Sequence, residues 1–113
     1  MILGLDVSSS KIGYSIIDKN KKLVMCEFKK FKTKDALEDR ALQFLAILKD
    51  IKSAHKINKV VIEAPFMAFS GGKTTAMTMA KLQRFNGMVC YMLRKLLGQQ
   101  ALLISPAKAR GLV

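Results

Sequence analysis

Asp6 closes the apolar run Ile2-Leu3-Gly4-Leu5, and Glu63 closes Val60-Val61-Ile62. Each is an acid at the C-terminal end of a short hydrophobic strand. If the two strands are parallel neighbours, both carboxylates emerge side by side at one sheet edge. Two acids that close repel one another unless something offsets their charge. A hard divalent cation does so, because Mg2+ prefers oxygen ligands and keeps waters for a substrate phosphate. Taken singly, either acid reads as a loop cap or an exposed ion-pair partner. The pair in this topology points to a metal.

The elements that must position this pair follow from hydrophobic patterning. Residues 1–7, 12–18 and 23–31 read as three strands joined by the tight turns Ser8-Ser9-Ser10-Lys11 and Lys19-Asn20-Lys21-Lys22, since β-branched and aromatic residues favour extended backbone. In the third, Leu23, Met25, Glu27, Lys29 and Phe31 share one face, and the charges gathered at its end suit an edge strand. Thr33 is the expected N-cap of a helix over 35–54, with Asp35 in its first turn. Leu37, Ala41, Phe44, Leu48 and Ile51 then recur at helical spacing. Residues 57–63 form a fourth strand, 64–72 a loop, and 73–97 a long helix broken by Gly98. Residues 101–104 form a fifth strand, and Ser105-Pro106 opens a helix barely begun at Val113. Strands joined by tight turns are antiparallel, and strands returning through helices are parallel. The expected fold is α/β: a mixed five-stranded sheet, three antiparallel strands then two parallel, flanked by helices. It forms a single domain over 1–113, truncated at its last helix.

Composition narrows the partners. Twenty Lys and Arg stand against eight acids, a net charge of +12, which concentrates polyanions and favours nucleic acid or an anionic membrane surface, with nucleic acid the preferred partner. Cys26 and Cys90 form no CxxC pair and lie in apolar runs, so both are expected as buried free thiols, in keeping with a reducing cytoplasm. Met1 to Leu5 meets Asp6 without an apolar h-region, so no signal peptide is expected. The uncharged stretch from Phe85 to Leu93 is too short to span a bilayer.

The run Ile2-Leu3-Gly4-Leu5-Asp6-Val7-Ser8-Ser9-Ser10-Lys11-Ile12-Gly13-Tyr14 resembles the opening strand-turn-strand of RuvC-type Holliday-junction resolvases, nucleases of RNase H-like fold. Val60-Val61-Ile62-Glu63-Ala64-Pro65-Phe66-Met67-Ala68 is similar to that family's second motif. Ile104-Ser105-Pro106 with Arg110 is a weaker third match. The resemblance implies a homodimer that binds four-way DNA junctions and nicks two symmetric strands, acting in recombination and repair. Mg2+ or Mn2+ would sit between carboxylates for phosphodiester hydrolysis. It implies Asp6 and Glu63 as catalytic metal ligands, Phe66 stacked on a base with Phe69 nearby, and Arg110 and Lys108 on backbone phosphate. Such resolvases also carry two further metal ligands about one turn apart on a C-terminal helix, whereas no residue after Glu63 here is acidic. The 113 residues therefore hold half of the implied site.

Other features carry less. Gly71-Gly72-Lys73-Thr74 lacks the earlier glycine of a P-loop, that position being Met67, though Lys73 remains a candidate phosphate contact. The 73–97 helix is apolar on more than one side. Leu82, Phe85, Val89 and Met92 are expected to face a second copy of the chain across a symmetric interface. His55, the one histidine, fits helix-end electrostatics. Two alternatives stand beside the nuclease: a non-catalytic junction-binding module on the same scaffold, and, ranked lower, an ATP-binding domain of the actin and sugar-kinase type. Neither a membrane nor a small-molecule cofactor is expected.

Overall fold

The structure is a computed structural model, and it describes residues 1–63 and 76–104. The loop over 64–72, the first residues of the 73–97 helix and everything from Ser105 onward lie outside the described residues. Five strands and two helices follow in the order β1 (Ile2–Val7), β2 (Lys11–Ile17), β3 (Leu23–Lys30), α1 (Leu37–Ala54), β4 (Lys59–Glu63), α2 (Ala76–Leu97) and β5 (Leu102–Ile104). They build one sheet of order β3-β2-β1-β4-β5. β1 pairs antiparallel with β2 and parallel with β4, β2 pairs antiparallel with β3, and β4 pairs parallel with β5. β3 is thus an edge strand, as its terminal charges suggested.

One face of this sheet is the core face. Leu3, Leu5 and Val7 from β1, Ile12, Tyr14 and Ile16 from β2, and Val60 and Ile62 from β4 are buried, at alternate positions along each strand. Leu37, Ala41, Phe44, Leu48 and Ile51 of α1 and Phe85, Val89 and Leu93 of α2 complete the same cluster. Phe31 meets Phe85 edge to face at 5.7 Å, and Tyr14 meets Phe44 likewise at 6.0 Å. The Tyr14 hydroxyl donates to Glu27 Oε2 at 3.1 Å, and burial, then the bond to Glu27 and its charge, raise the phenol above its ordinary value.

The other face carries Gly4, Gly13, Ser15, Val61 and the two acids. Ile2, Leu23, Phe28 and Leu102 are exposed on it. Among the described residues, neither helix covers it. Gly4 allows β1 and β2 to pack closely here, since a side chain at that position would meet Ser15 Oγ at 3.2 Å.

Three local expectations are corrected. Helix α1 starts at Leu37 with Ala36 as N-cap and no side-chain cap bond. Thr33 instead gives its carbonyl to Arg40, whose guanidinium is almost wholly buried. Arg40 Nε donates to Asp35 O at 2.9 Å, Nη1 to Ser9 O at 2.6 Å and Nη2 to Thr33 O at 2.8 Å. One side chain therefore ties the β1–β2 turn to the chain entering α1. Cys26 is exposed rather than buried, because its side of β3 faces away from the helices; Cys90 is half-buried. Phe85 and Val89 are fully buried against the chain's own sheet and leave no surface for a second copy; Leu82 and Met92 are partly exposed. The expectation that Gly98 ends α2 holds: its φ of 70° is left-handed, and its N–H donates to Arg94 O.

Three outcomes follow. Leu48→Ala, at a site with no exposure, should lower stability by about 2–5 kcal/mol, while Leu42→Ala, 62% exposed, should cost well under about 1 kcal/mol; denaturant melts decide. Arg40→Met removes the donor from three carbonyls and should cost roughly 2–4 kcal/mol in the same assay; an unchanged midpoint would show that the clasp contributes nothing. A thiol-alkylating reagent should label Cys26 well before Cys90, whose thiol is held protonated to higher pH by burial. Mass spectrometry of the peptides would reveal the opposite order if the open face were covered.

Candidate active site

The two acids come together through strand register. Leu5 of β1 pairs with Ile62 of β4 in a parallel ladder, so Asp6 and Glu63, one residue on in each strand, are neighbours across the ladder. Neighbouring strands are about 4.8 Å apart. Leu5 and Ile62 are buried on the core face, so alternation turns both acids to the opposite, open face. Asp6 is exposed and Glu63 partly so. On the other side of Asp6 lies Gly13, directly opposite it in β2. A side chain there would meet Asp6 Cβ at 3.8 Å, so glycine leaves that flank of the carboxylate open. Beyond Glu63 comes Ile104 of β5.

The turn after Asp6 is fastened from several directions. Ser8 N–H donates to Lys11 O, and the Ser8 hydroxyl both donates to that carbonyl and accepts from Lys11 N–H. Phe31 N–H donates to Ser10 O at 2.8 Å, and Arg40 holds Ser9 O. Asp6 therefore projects from a central strand whose exit is braced by β3 and α1.

This geometry suits a hard cation. Two carboxylates on adjacent strands supply oxygen donors of the kind Mg2+ and Mn2+ take, with room left for water and a phosphate. Among the described residues, no group of three or more His, Cys, Asp or Glu side chains is close enough to hold a metal, so the pair is a partial ligand set. Among the described residues, the site is an open surface. A cavity of about 440 Å³ lined by Lys52, His55, Lys56, Ile57 and Leu97 lies at the other end of the sheet, where the N-terminal ammonium donates to Lys56 O. His55 caps α1 there, its N–H on Ile51 O, far from both acids.

Of the other residues singled out from sequence, Phe66, Phe69, Lys73, Lys108 and Arg110 lie outside the described residues. Sequence reasoning missed the Arg40 clasp, although a charge set between Leu37 and Phe44 on an apolar stripe was its signal. It also missed that Lys11 and Lys30 stand opposite one another beside the acids, a consequence of strand register.

No described helix is long and apolar enough to cross a membrane. The sequence model of the family described as crossover junction endodeoxyribonuclease RuvC matches residues 2–100. The crossover junction endodeoxyribonuclease RuvC of Aliarcobacter butzleri (strain RM4018) is 34% identical over 91 residues, which cover 78% of this chain and 55% of that protein. The chain thus spans about half the length of this curated relative. Among solved structures, T. thermophilus RuvC in complex with Holliday junction substrate superposes with a TM-score of 0.78 at 15% identity, covering 97% of this chain and 67% of the other. The yeast mitochondrial Holliday junction resolvase gives a TM-score of 0.63 at 15% identity, covering 98% and 52%. These two share the RNase H-like fold that the family resemblance implied, and the mixed five-stranded sheet matches the expected one. With the family match running through both acid-bearing strands, the chain belongs to the RuvC family of crossover junction endodeoxyribonucleases.

Proposed function

We propose that the protein is a divalent-metal-dependent endonuclease that resolves four-way DNA junctions, with Asp6 and Glu63 as metal ligands. The observation that carries this reading is the placement of both acids, side by side, on the open face of the sheet in a RuvC-family chain. Mg2+ or Mn2+ bound there would supply Lewis-acid charge for phosphodiester hydrolysis. The chain's own contribution is orientation. β1 and β4 fix the spacing of the carboxylates, Gly13 keeps one flank of Asp6 clear, and the braced turn after Asp6 limits its drift. A site that is open among the described residues suits a polymer better than a small molecule, and the net charge of +12 suits a polyanion. Phe66 with Phe69 would stack on unpaired bases, and Lys73, Lys108 and Arg110 would contact phosphate.

In this reading the protein acts as a homodimer in the cytoplasm of a bacterium or of a phage-infected cell. A second copy engaging α2 would meet its exposed side, where Met77 and Tyr91 stand out, with Leu82 and Met92 at the margin. A second reading, a junction-binding module without catalysis, draws on the absence of any acid after Glu63 within the 113 residues.

Cleavage of a synthetic four-way junction in Mg2+ or Mn2+ separates these. Asp6→Asn and Glu63→Gln should each lower the cleavage rate by roughly a hundredfold or more, since each removes a metal ligand, while leaving junction binding intact. Cleavage that survives both substitutions would remove the metal site from this pair. Binding by the unsubstituted protein without cleavage in either metal would select the second reading.

A further inference from the structure

Lys11 and Lys30 are directly opposite one another in the antiparallel β2–β3 ladder, and both are exposed. Ile12, next to Lys11, is buried on the core face, so alternation turns Lys11 and its partner Lys30 to the open face that carries Asp6. Asp6 stands opposite Gly13, and Lys11 is two residues from Gly13, about 7 Å along the strand. Like charges set opposite one another in a ladder are destabilising, and no described acid relieves this pair. Glu27, on β3, is turned to the core face and takes the Tyr14 hydroxyl. Asp35 accepts from Gln43. The ion pair found among the described residues, Arg84 with Glu38, lies elsewhere. The hydrogen bonds from Phe31 to Ser10 and from Arg40 to Ser9 and Thr33 fasten this corner to the turn after Asp6. These bonds fix the backbone from which the two lysines project.

We propose that the Lys11–Lys30 pair is a phosphate clamp for the DNA backbone, carrying a duplex arm of the substrate away from the acid pair across β2 and β3. The proposal rests on the reading that the Asp6 face takes DNA, and deepens it by naming the flank along which the strand runs. The contacts expected from sequence at Lys73, Lys108 and Arg110 follow β4 and β5 in the chain. The Lys11–Lys30 clamp is on the opposite flank of Asp6. An extended polyanion is favoured over a small anion because, among the described residues, the pair stands on an open sheet surface with no enclosing wall. A ligand phosphate between the two ammonium groups converts their repulsion into shared attraction.

The test is the affinity of the protein for a fluorescently labelled four-way junction, measured by anisotropy without divalent metal over a series of salt concentrations. Lys11→Gln/Lys30→Gln is compared with Lys21→Gln/Lys22→Gln, which removes the same charge from the β2–β3 turn at the other end of the sheet. The clamp variant should bind on the order of tenfold more weakly at low salt, with the slope of log K against log salt reduced by about one to two. The control should change far less. Lys11→Arg/Lys30→Arg should restore binding. The clamp variant should melt no lower than the unsubstituted protein, because a repulsion has been removed. Equal weakening by clamp and control variants, or none by either, overturns the clamp. Junction binding without cleavage overturns the nuclease reading and leaves the clamp measurable. A protein that does not bind junctions at all overturns both.

Discussion

The parallel pairing of β1 with β4 is the constraint on which the site depends. A one-residue slip in that ladder would turn one strand's side chains to the other face. It would bury an acid among Leu3, Val60 and Phe44, or expose the leucines and valines that hold the helices. The register is therefore fixed by the core, through the burial of Leu3, Leu5, Val60 and Ile62. The carboxylates inherit their adjacency from it. Stability and site geometry share one cause: the apolar residues that hold the sheet to α1 and α2 also decide that Asp6 and Glu63 emerge together on the other face.

Around this pair the chain invests in position rather than enclosure. A glycine stands opposite Asp6, and a buried arginine reaches three carbonyls to brace the turn that follows. Arg40 has no carboxylate partner among the described residues. Its charge is offset by the oriented dipoles of the three backbone carbonyls it reaches. The same corner carries lysines without acid partners among the described residues, so its field favours an incoming anion at short range. An open acid pair bordered by positive charge is an arrangement suited to a phosphate backbone.

Much of this was legible in the sequence. The acids at the ends of two hydrophobic runs, the tight turns, the helical spacing of Leu37 through Ile51 and the stop at Gly98 are local patterns, and the element order follows from them. Features that depend on which face is covered were not legible. Cys26 lies in an apolar run, yet its side of β3 faces away from the helices. Phe85 and Val89 form an apolar stripe that serves a partner or the chain's own sheet equally well as a pattern. The largest side chains of the stripe went to the core, where Phe85 meets Phe31. Thr33 has the chemistry of a cap, but Arg40 claims its carbonyl through a contact that no spacing rule predicts. The opposition of Lys11 and Lys30 appears only once the β2–β3 register is known.

The most direct measurement of the central claim is a crystal structure of the protein grown with Mn2+, with anomalous diffraction locating the ion. The account requires an anomalous peak held jointly by the carboxylates of Asp6 and Glu63, each oxygen about 2.2 Å from the metal. A peak held by one acid without the other, or two side chains turned to separate surroundings with no metal between them, would contradict it.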